Sequence, residues 1–83
     1  MEALELLAGD KTVGTKETLK AIEKNKVAAV FIAKDAENRV VEPVRRACLE
    51  KGVKILEVET MAELGHACHL SVGAAACAVI QGD

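Results

Sequence analysis

The sequence has 83 residues, of which 51% are hydrophobic and only one, Phe31, is aromatic. This length predicts a single domain, residues 1–83, with one small core built from Ala, Val, Ile and Leu. The net charge of −2 excludes a uniformly basic nucleic-acid binder. Apolar runs are far shorter than the roughly 18 residues of a membrane span, so no membrane partner is expected.

The pattern predicts helices and strands that alternate along the chain. The helices are a short one over residues 2–8, one from Thr15 to about Asn25, one around 42–49 and a short one from Met61 to Cys68. The strands are a short one over 11–13 and three more over 27–33, 53–58 and 74–80. Strands that alternate with helices imply right-handed crossovers. The predicted fold class is therefore α/β, a three-layer α/β/α sandwich with a small mixed sheet. The continuous apolar run VAAVFIA (27–33) is typical of a strand buried on both faces in a parallel sheet.

Helix boundaries are indicated by residues that favour helix ends. Thr15 is the expected N-cap of the first long helix. Pro43 suits the first turn of the second long helix, and Gly52 suits the position just past the end of that helix. Thr60 with Glu63 forms a T-x-x-E capping box that predicts the start of the third.

Three cysteines, an odd number without a C-x-x-C pair, indicate buried, reduced thiols and a reducing compartment. The acidic N-terminal stretch differs from a basic signal peptide. We therefore expect a cytoplasmic protein.

Positive charge is concentrated in residues 11–34, where six lysines and two glutamates give +4. The stretch VGTKETLK (13–20) lies within it. This stretch resembles an anion site, because it combines a glycine, the free N–H groups of a helix start, and the side chains of Lys16 and Lys20. The glycine spacing of a Walker A loop is missing. Glu17 favours a base edge, because a carboxylate accepts from N–H donors. A plain solvated helix with an acid in its first turn remains the alternative.

Two other loops contain residue types that can carry chemistry. Lys34 and Asp35 end the 27–33 strand, where an acid is a candidate nucleophile or metal ligand. His66, Cys68 and His69 lack zinc-motif spacing. With no catalytic set, we expect no enzyme, no metal, no cofactor and no small-molecule substrate. The apolar loop, defined here as residues 70–74, is either a hydrophobic partner platform or simply packed.

The segments VGTKETLKAIEKNKVAAVFIAKDAE, VKILEV and MAELGHACHLSVGAAACAVI together resemble one family over nearly the whole chain. The most specific motifs are G-T-x-E-T-x-K, I-A-K-D-A and L-G-x-A-C-x-L-S-V-G-A-A-A. The family is the ribosomal protein L7Ae superfamily, in particular its short bacterial members that bind kink-turn RNA.

The resemblance implies an α/β/α sandwich that recognises tandem sheared G·A pairs beside a bulge that bends the duplex. By position, it implies an RNA-binding surface of Gly14, Thr15, Lys16, Glu17, Lys20, Lys34, Asp35, Ala36, Leu70, Ser71, Val72, Gly73 and Ala74. The implied partner is a structured RNA that contains a kink-turn, either ribosomal RNA or the leader of a messenger RNA. The resemblance also implies that the protein associates with the ribosome. Lys16 stands where archaeal and eukaryotic members commonly have asparagine, and lysine can only donate hydrogen bonds.

Two alternatives stay open at this stage. The first is a protein–protein module of the same fold that uses the apolar loop and has no kink-turn specificity. The second is a small nucleotide binder or enzyme that uses residues 14–16 as an anion cradle and Asp35 as its acid.

Overall fold

The computed structural model describes residues 9–81 of the chain. The elements in this range are β1 (Lys11–Val13), α1 (Thr15–Glu23), β2 (Val27–Ala33), α2 (Asn38–Lys51), β3 (Ile55–Val58), α3 (Met61–Ala67) and β4 (Ala76–Ile80). The helix predicted over residues 2–8 lies outside the described residues. Of the three described helices, none has the length and apolarity that a membrane crossing demands.

The sheet has the strand order β1-β4-β2-β3. β2 runs parallel to β3, whereas β4 is antiparallel to both β1 and β2. This confirms the mixed sheet. The strand expected in a parallel sheet, β2, has one parallel neighbour, β3, and one antiparallel neighbour, β4. The direction of β4 has a local cause: the Ala74 N–H donates to the Met61 carbonyl at 3.0 Å, so the chain has returned to the start of α3 before β4 begins.

The three-layer arrangement follows from the burial of β2. Every residue of this strand except Ala28 is buried, so side chains on both of its faces are covered. α1 and α2 pack against each other on one face, and α3 packs against β2, β3 and β4 on the other. The largest fully buried side chains include Phe31, Ile22 and Leu64. The α/β/α sandwich is therefore confirmed.

Two predicted helix starts are wrong. The N-cap of α1 is Gly14, not Thr15, because Gly14 adopts φ 97°, ψ 155° and its carbonyl accepts from the Thr18 N–H at 3.0 Å. α2 starts at Asn38, so Pro43 lies inside the helix rather than in its first turn. The earlier start places Val41 in the core with the rest of the buried side of the helix.

Other boundaries agree or shift slightly. Gly52 ends α2 with φ 69°, and Thr60 caps α3, its Oγ1 accepting from the Glu63 N–H at 3.0 Å. α1 ends at Glu23, because Asn25 turns to φ 58°. β3 and β4 start later than predicted, since the preceding N–H groups of Val53 and Ala74 bond to helical carbonyls instead.

Candidate nucleic-acid interface

Ala76, the first residue of β4, and Ala75 just before it bring the predicted binding segments together at one end of the sheet. The Ala76 carbonyl accepts from the Gly14 N–H at 2.8 Å, and the Ala75 carbonyl accepts from the Ala33 N–H at 3.0 Å. β3 also ends here, because the Lys34 N–H donates to the Val58 carbonyl at 2.7 Å. The start of α1, the loop after β2 and the apolar loop therefore share this end.

A contact with β1 anchors the start of α1. Thr18 is fully buried, and its Oγ1 lies 3.2 Å from Thr12 Oγ1 in β1. This fixes the rotation of the helix, so that Lys16, Glu17 and Lys20 face outward and are exposed. No side chain among residues 9–81 caps the helix start. Its first-turn N–H groups and the positive end of the helix dipole therefore face the same region as the two lysines.

The lysines at this end have weak ionic partners. Lys20 Nζ lies 3.7 Å from Glu17 Oε2, with both side chains more than half exposed. Lys34 Nζ lies 3.1 Å from Oε2 of Glu59. Glu59 was not among the site residues predicted from the sequence. Exposed pairs of this kind contribute about 0–1 kcal/mol. Their lysines are therefore available to an incoming anion at little energetic cost.

Asp35 has a structural partner. Its Oδ1 accepts a hydrogen bond from the Met61 N–H at 2.8 Å, the first N–H of α3. Thr60 satisfies a second N–H of the same helix end. The carboxylate therefore holds the start of α3 against the loop after β2. Across residues 9–81, no group of three or more His, Cys, Asp and Glu side chains is placed to hold a metal.

The apolar loop exposes one hydrophobic side chain. Val72 is 68% exposed, whereas Leu70 is half-buried and packs against the core. Ser71 and Gly73 are exposed, and Ala74 is buried. The platform considered from the sequence is thus formed by Val72, beside the main chain of its neighbours.

Small residues hold this loop against α3. A Cβ on Gly65 would collide with the Val72 carbonyl oxygen and lie 3.0 Å from Gly73 Cα, while a Cβ on Gly73 would lie 3.1 Å from Met61 Cβ. His69, just past the C-cap of α3, has φ 64°, and the Leu70 N–H donates to the Gly65 carbonyl at 2.9 Å. This is a left-handed helix end of the Schellman type. The path of the loop is therefore fixed by contacts with the helix.

The predicted site residues differ in how they are presented. Ala36 and Ala74 are buried, and Gly14 and Thr15 are half-buried, so these four contribute main chain and support. The exposed side chains of the site belong to Lys16, Glu17, Lys20, Lys34, Asp35, Ser71 and Val72.

Sequence reasoning missed the supporting residues Glu59, Met61, Gly65 and His69. For two of these residues, Glu59 and Gly65, the sequence contains a feature that indicates their role. Glu59 follows a strand parallel to β2, and such strands end at the same edge of a sheet. Gly65 interrupts a helical pattern, which indicates a close packing contact.

Comparison with known proteins identifies the family. The sequence profile of the "Ribosomal protein L7Ae/L30e/S12e/Gadd45 family" matches residues 4–83. An "RNA-binding protein" of Caldanaerobacter subterraneus subsp. tengcongensis is 52% identical over 73 residues, which cover 88% of this chain and 89% of that protein. The "Large ribosomal subunit protein eL8" of Halobacterium salinarum is 41% identical over 83 residues, covering 96% of this chain and 69% of that protein.

A solved structure agrees with these sequence relatives. The "Giardia lamblia 15.5kD RNA binding protein" superimposes with a TM-score of 0.89 at 30% sequence identity, covering 99% of this chain and 73% of that one. Sequence and structure thus identify the same relationship. The chain belongs to the ribosomal protein L7Ae/L30e/S12e/Gadd45 family.

Proposed function

We propose that this chain binds structured RNA, recognises the tandem sheared G·A pairs of a kink-turn, and stabilises the bent form. The observation that carries the proposal is the pair of hydrogen bonds from Gly14 and Ala33 to Ala76 and Ala75 at the start of β4, which gather three candidate segments at one end. The relatives named as RNA-binding proteins support an RNA partner.

The start of α1 is suited to a kinked duplex. The major groove of regular A-form RNA is too narrow for side chains to read, so sequence-specific readers use distorted or unpaired sites. A kink opens the groove to a helix start. Lys16 and Lys20 would then donate to guanine O6 or N7, and Glu17 would accept from a guanine N–H.

The apolar loop would cover a nucleotide flipped out of the bulge. Val72 is the exposed apolar side chain for this contact, and the glycine contacts with α3 hold it in place without the RNA. A preformed loop loses less conformational entropy when the ligand binds than a loop that must first be ordered. Binding in this way shifts the RNA population toward the bent form and requires no catalysis, cofactor or small-molecule substrate.

We further propose a cytoplasmic, ribosome-associated role. The ribosomal name of the Halobacterium salinarum relative supports association with the ribosome. The three cysteines are free thiols in the structure, which suits a reducing compartment.

Titration into two RNAs tests the proposal. One RNA carries a kink-turn, and the control carries the same sequence with both G·A pairs replaced by Watson–Crick pairs. Salt is held constant, because phosphate contacts make affinity salt-dependent. We expect tight binding to the first RNA and weak binding to the second. Equal, weak binding to both would contradict kink-turn recognition and favour the protein–protein module.

A further inference from the structure

Two buried thiols are in contact beneath the candidate interface. Cys68 Sγ and Cys77 Sγ lie 3.0 Å apart. Cys68 is the C-cap of α3, immediately before the left-handed His69 that begins the turn into the apolar loop. Cys77 lies in β4, where it pairs with Val13 of β1 and Phe31 of β2. The contact therefore joins the base of the apolar loop to the centre of the sheet.

We propose that Cys68 and Cys77 are a reversible oxidation site, which a low-molecular-weight disulfide converts to an intramolecular disulfide that ties the apolar loop to β4. The inference is independent of which RNA the chain binds.

The chemistry is thiol–disulfide exchange. The Cys68 thiolate attacks one sulfur of the small disulfide, forming a mixed disulfide and releasing one small thiol. Cys77 then loses its proton and attacks the Cys68 sulfur, which releases the second small thiol. The two cysteines lose two electrons, the small disulfide gains them, and the two cysteine protons end on the two released thiols. A small dithiol reverses the reaction.

Burial sets the order of these steps. Cys68 is 4% exposed and Cys77 is fully buried, so Cys68 is the more accessible of the two residues and the one assigned to meet the oxidant. Burial, together with the hydrogen bond that joins the two thiols, raises the pKa of the Cys77 thiol. A raised pKa disfavours the Cys77 thiolate, so Cys77 is the thiol that reacts second.

The bond requires the two sulfurs to move closer together. A disulfide has an S–S length of about 2.05 Å, so the two sulfurs need to approach by roughly 1 Å. The third cysteine, Cys48, is buried in α2 and belongs to a different part of the core. The structure thus offers one close thiol pair among the described residues and one buried thiol as an internal control.

Oxidation of the full-length folded protein tests the proposal. The protein is incubated with glutathione disulfide, alkylated and digested without reduction, and its peptides are identified by mass spectrometry. We expect a Cys68–Cys77 link with the loss of two hydrogens, and an alkylated Cys48. Cys48→Ser should still form the link, and dithiothreitol should remove it.

Cys77→Val is the matched variant, because valine fills a similar apolar space in β4. It should fold like the wild type by circular dichroism and form no internal disulfide. Wild-type protein that keeps both thiols free, or that links only in urea or only between molecules, would overturn the proposal.

Hydrogen exchange tests the consequence for the apolar loop. The amides of Leu70 and Ala74, which donate to α3 carbonyls, should exchange several-fold more slowly in the oxidised protein. Unchanged exchange in protein shown to contain the disulfide would overturn the claim that the bond ties this loop to β4.

Discussion

Asp35 accepts a hydrogen bond from the Met61 N–H at 2.8 Å, which joins the loop after β2 to the first residue of α3. Through this bond an exposed acid at the candidate interface acts on the helix that supports the apolar loop. The Met61 carbonyl in turn accepts from Ala74. Asp35 therefore connects two of the three segments that meet at this end of the sheet.

Replacing Asp35 by alanine should destabilise the fold by about 1 kcal/mol, because the first N–H of α3 loses its acceptor. RNA affinity should fall as well, since the apolar loop loses part of its support. Asp35→Asn retains an oxygen acceptor and should lie close to the wild type in urea unfolding. An asparagine variant as unstable as the alanine variant would contradict the acceptor role.

Glu17→Ala and Lys20→Ala should each weaken binding to kink-turn RNA by about 1–3 kcal/mol if they contact base edges. The matched controls are Glu23→Ala, at the far end of α1, and Lys51→Ala, at the end of α2. Each control removes the same charge from an exposed position away from the candidate interface. Affinities are compared by titration at one salt concentration. Equal losses in test and control variants would assign the effect to overall charge rather than to base contacts.

Gly65→Ala should cost about 1–3 kcal/mol of stability, because the added methyl group meets the Val72 carbonyl and forces the apolar loop away from α3. RNA binding should weaken with it, since Val72 is displaced. Gly9→Ala is the control, because no atom lies within 4 Å of its added Cβ. Urea unfolding measures the first effect and RNA titration the second. Unfolding free energies that match for the two variants would contradict the close contact.

Arg45 and Glu57 predict a small pH dependence of stability. Arg45 Nη1 donates to Glu57 Oε2 at 3.1 Å, and this hydrogen bond with the Arg45 charge holds the pKa of Glu57 below its ordinary value of 4.5. A lowered folded-state pKa means that the pair stabilises the fold fully above pH 4.5. The stabilisation is lost as the pH falls through the folded-state pKa.

A double-mutant cycle with Arg45→Gln and Glu57→Gln measures the coupling free energy between these two side chains. Because the pair is partly exposed, its coupling free energy at neutral pH should be about 0.2–1 kcal/mol. It should approach zero well below pH 4.5. A coupling free energy that stays constant across this range would show that the ionised carboxylate is not the stabilising form.

The order of helices and strands could be predicted because the signals are local. The apolar run of β2 and the Thr60 cap each lie within the element that they define. The direction of β4 could not be predicted in this way. An apolar strand such as ACAVI reads the same whichever way it pairs, and only the return of Ala74 to Met61 decides it.

The candidate site was predictable in its charged residues and less so in its support. Lys16, Glu17 and Lys20 follow from the helical period of a single segment. The partner of Asp35 lies 26 positions away in the sequence, so no local pattern indicates it. The same holds for the contact between Gly65 and Val72, which depends on how the apolar loop folds back on its helix.

The position of β4 in the sheet affects when the candidate interface forms during synthesis. β4 is the last of the described strands in the chain, yet it lies between β1 and β2. A growing chain that ends before Ala75 and Ala76 lacks the carbonyls that hold Gly14 and Ala33 at one end. Such a chain contains the lysines of α1 but not their arrangement. Incomplete chains would thus attract RNA only through charge, and selective recognition would begin when β4 enters the sheet.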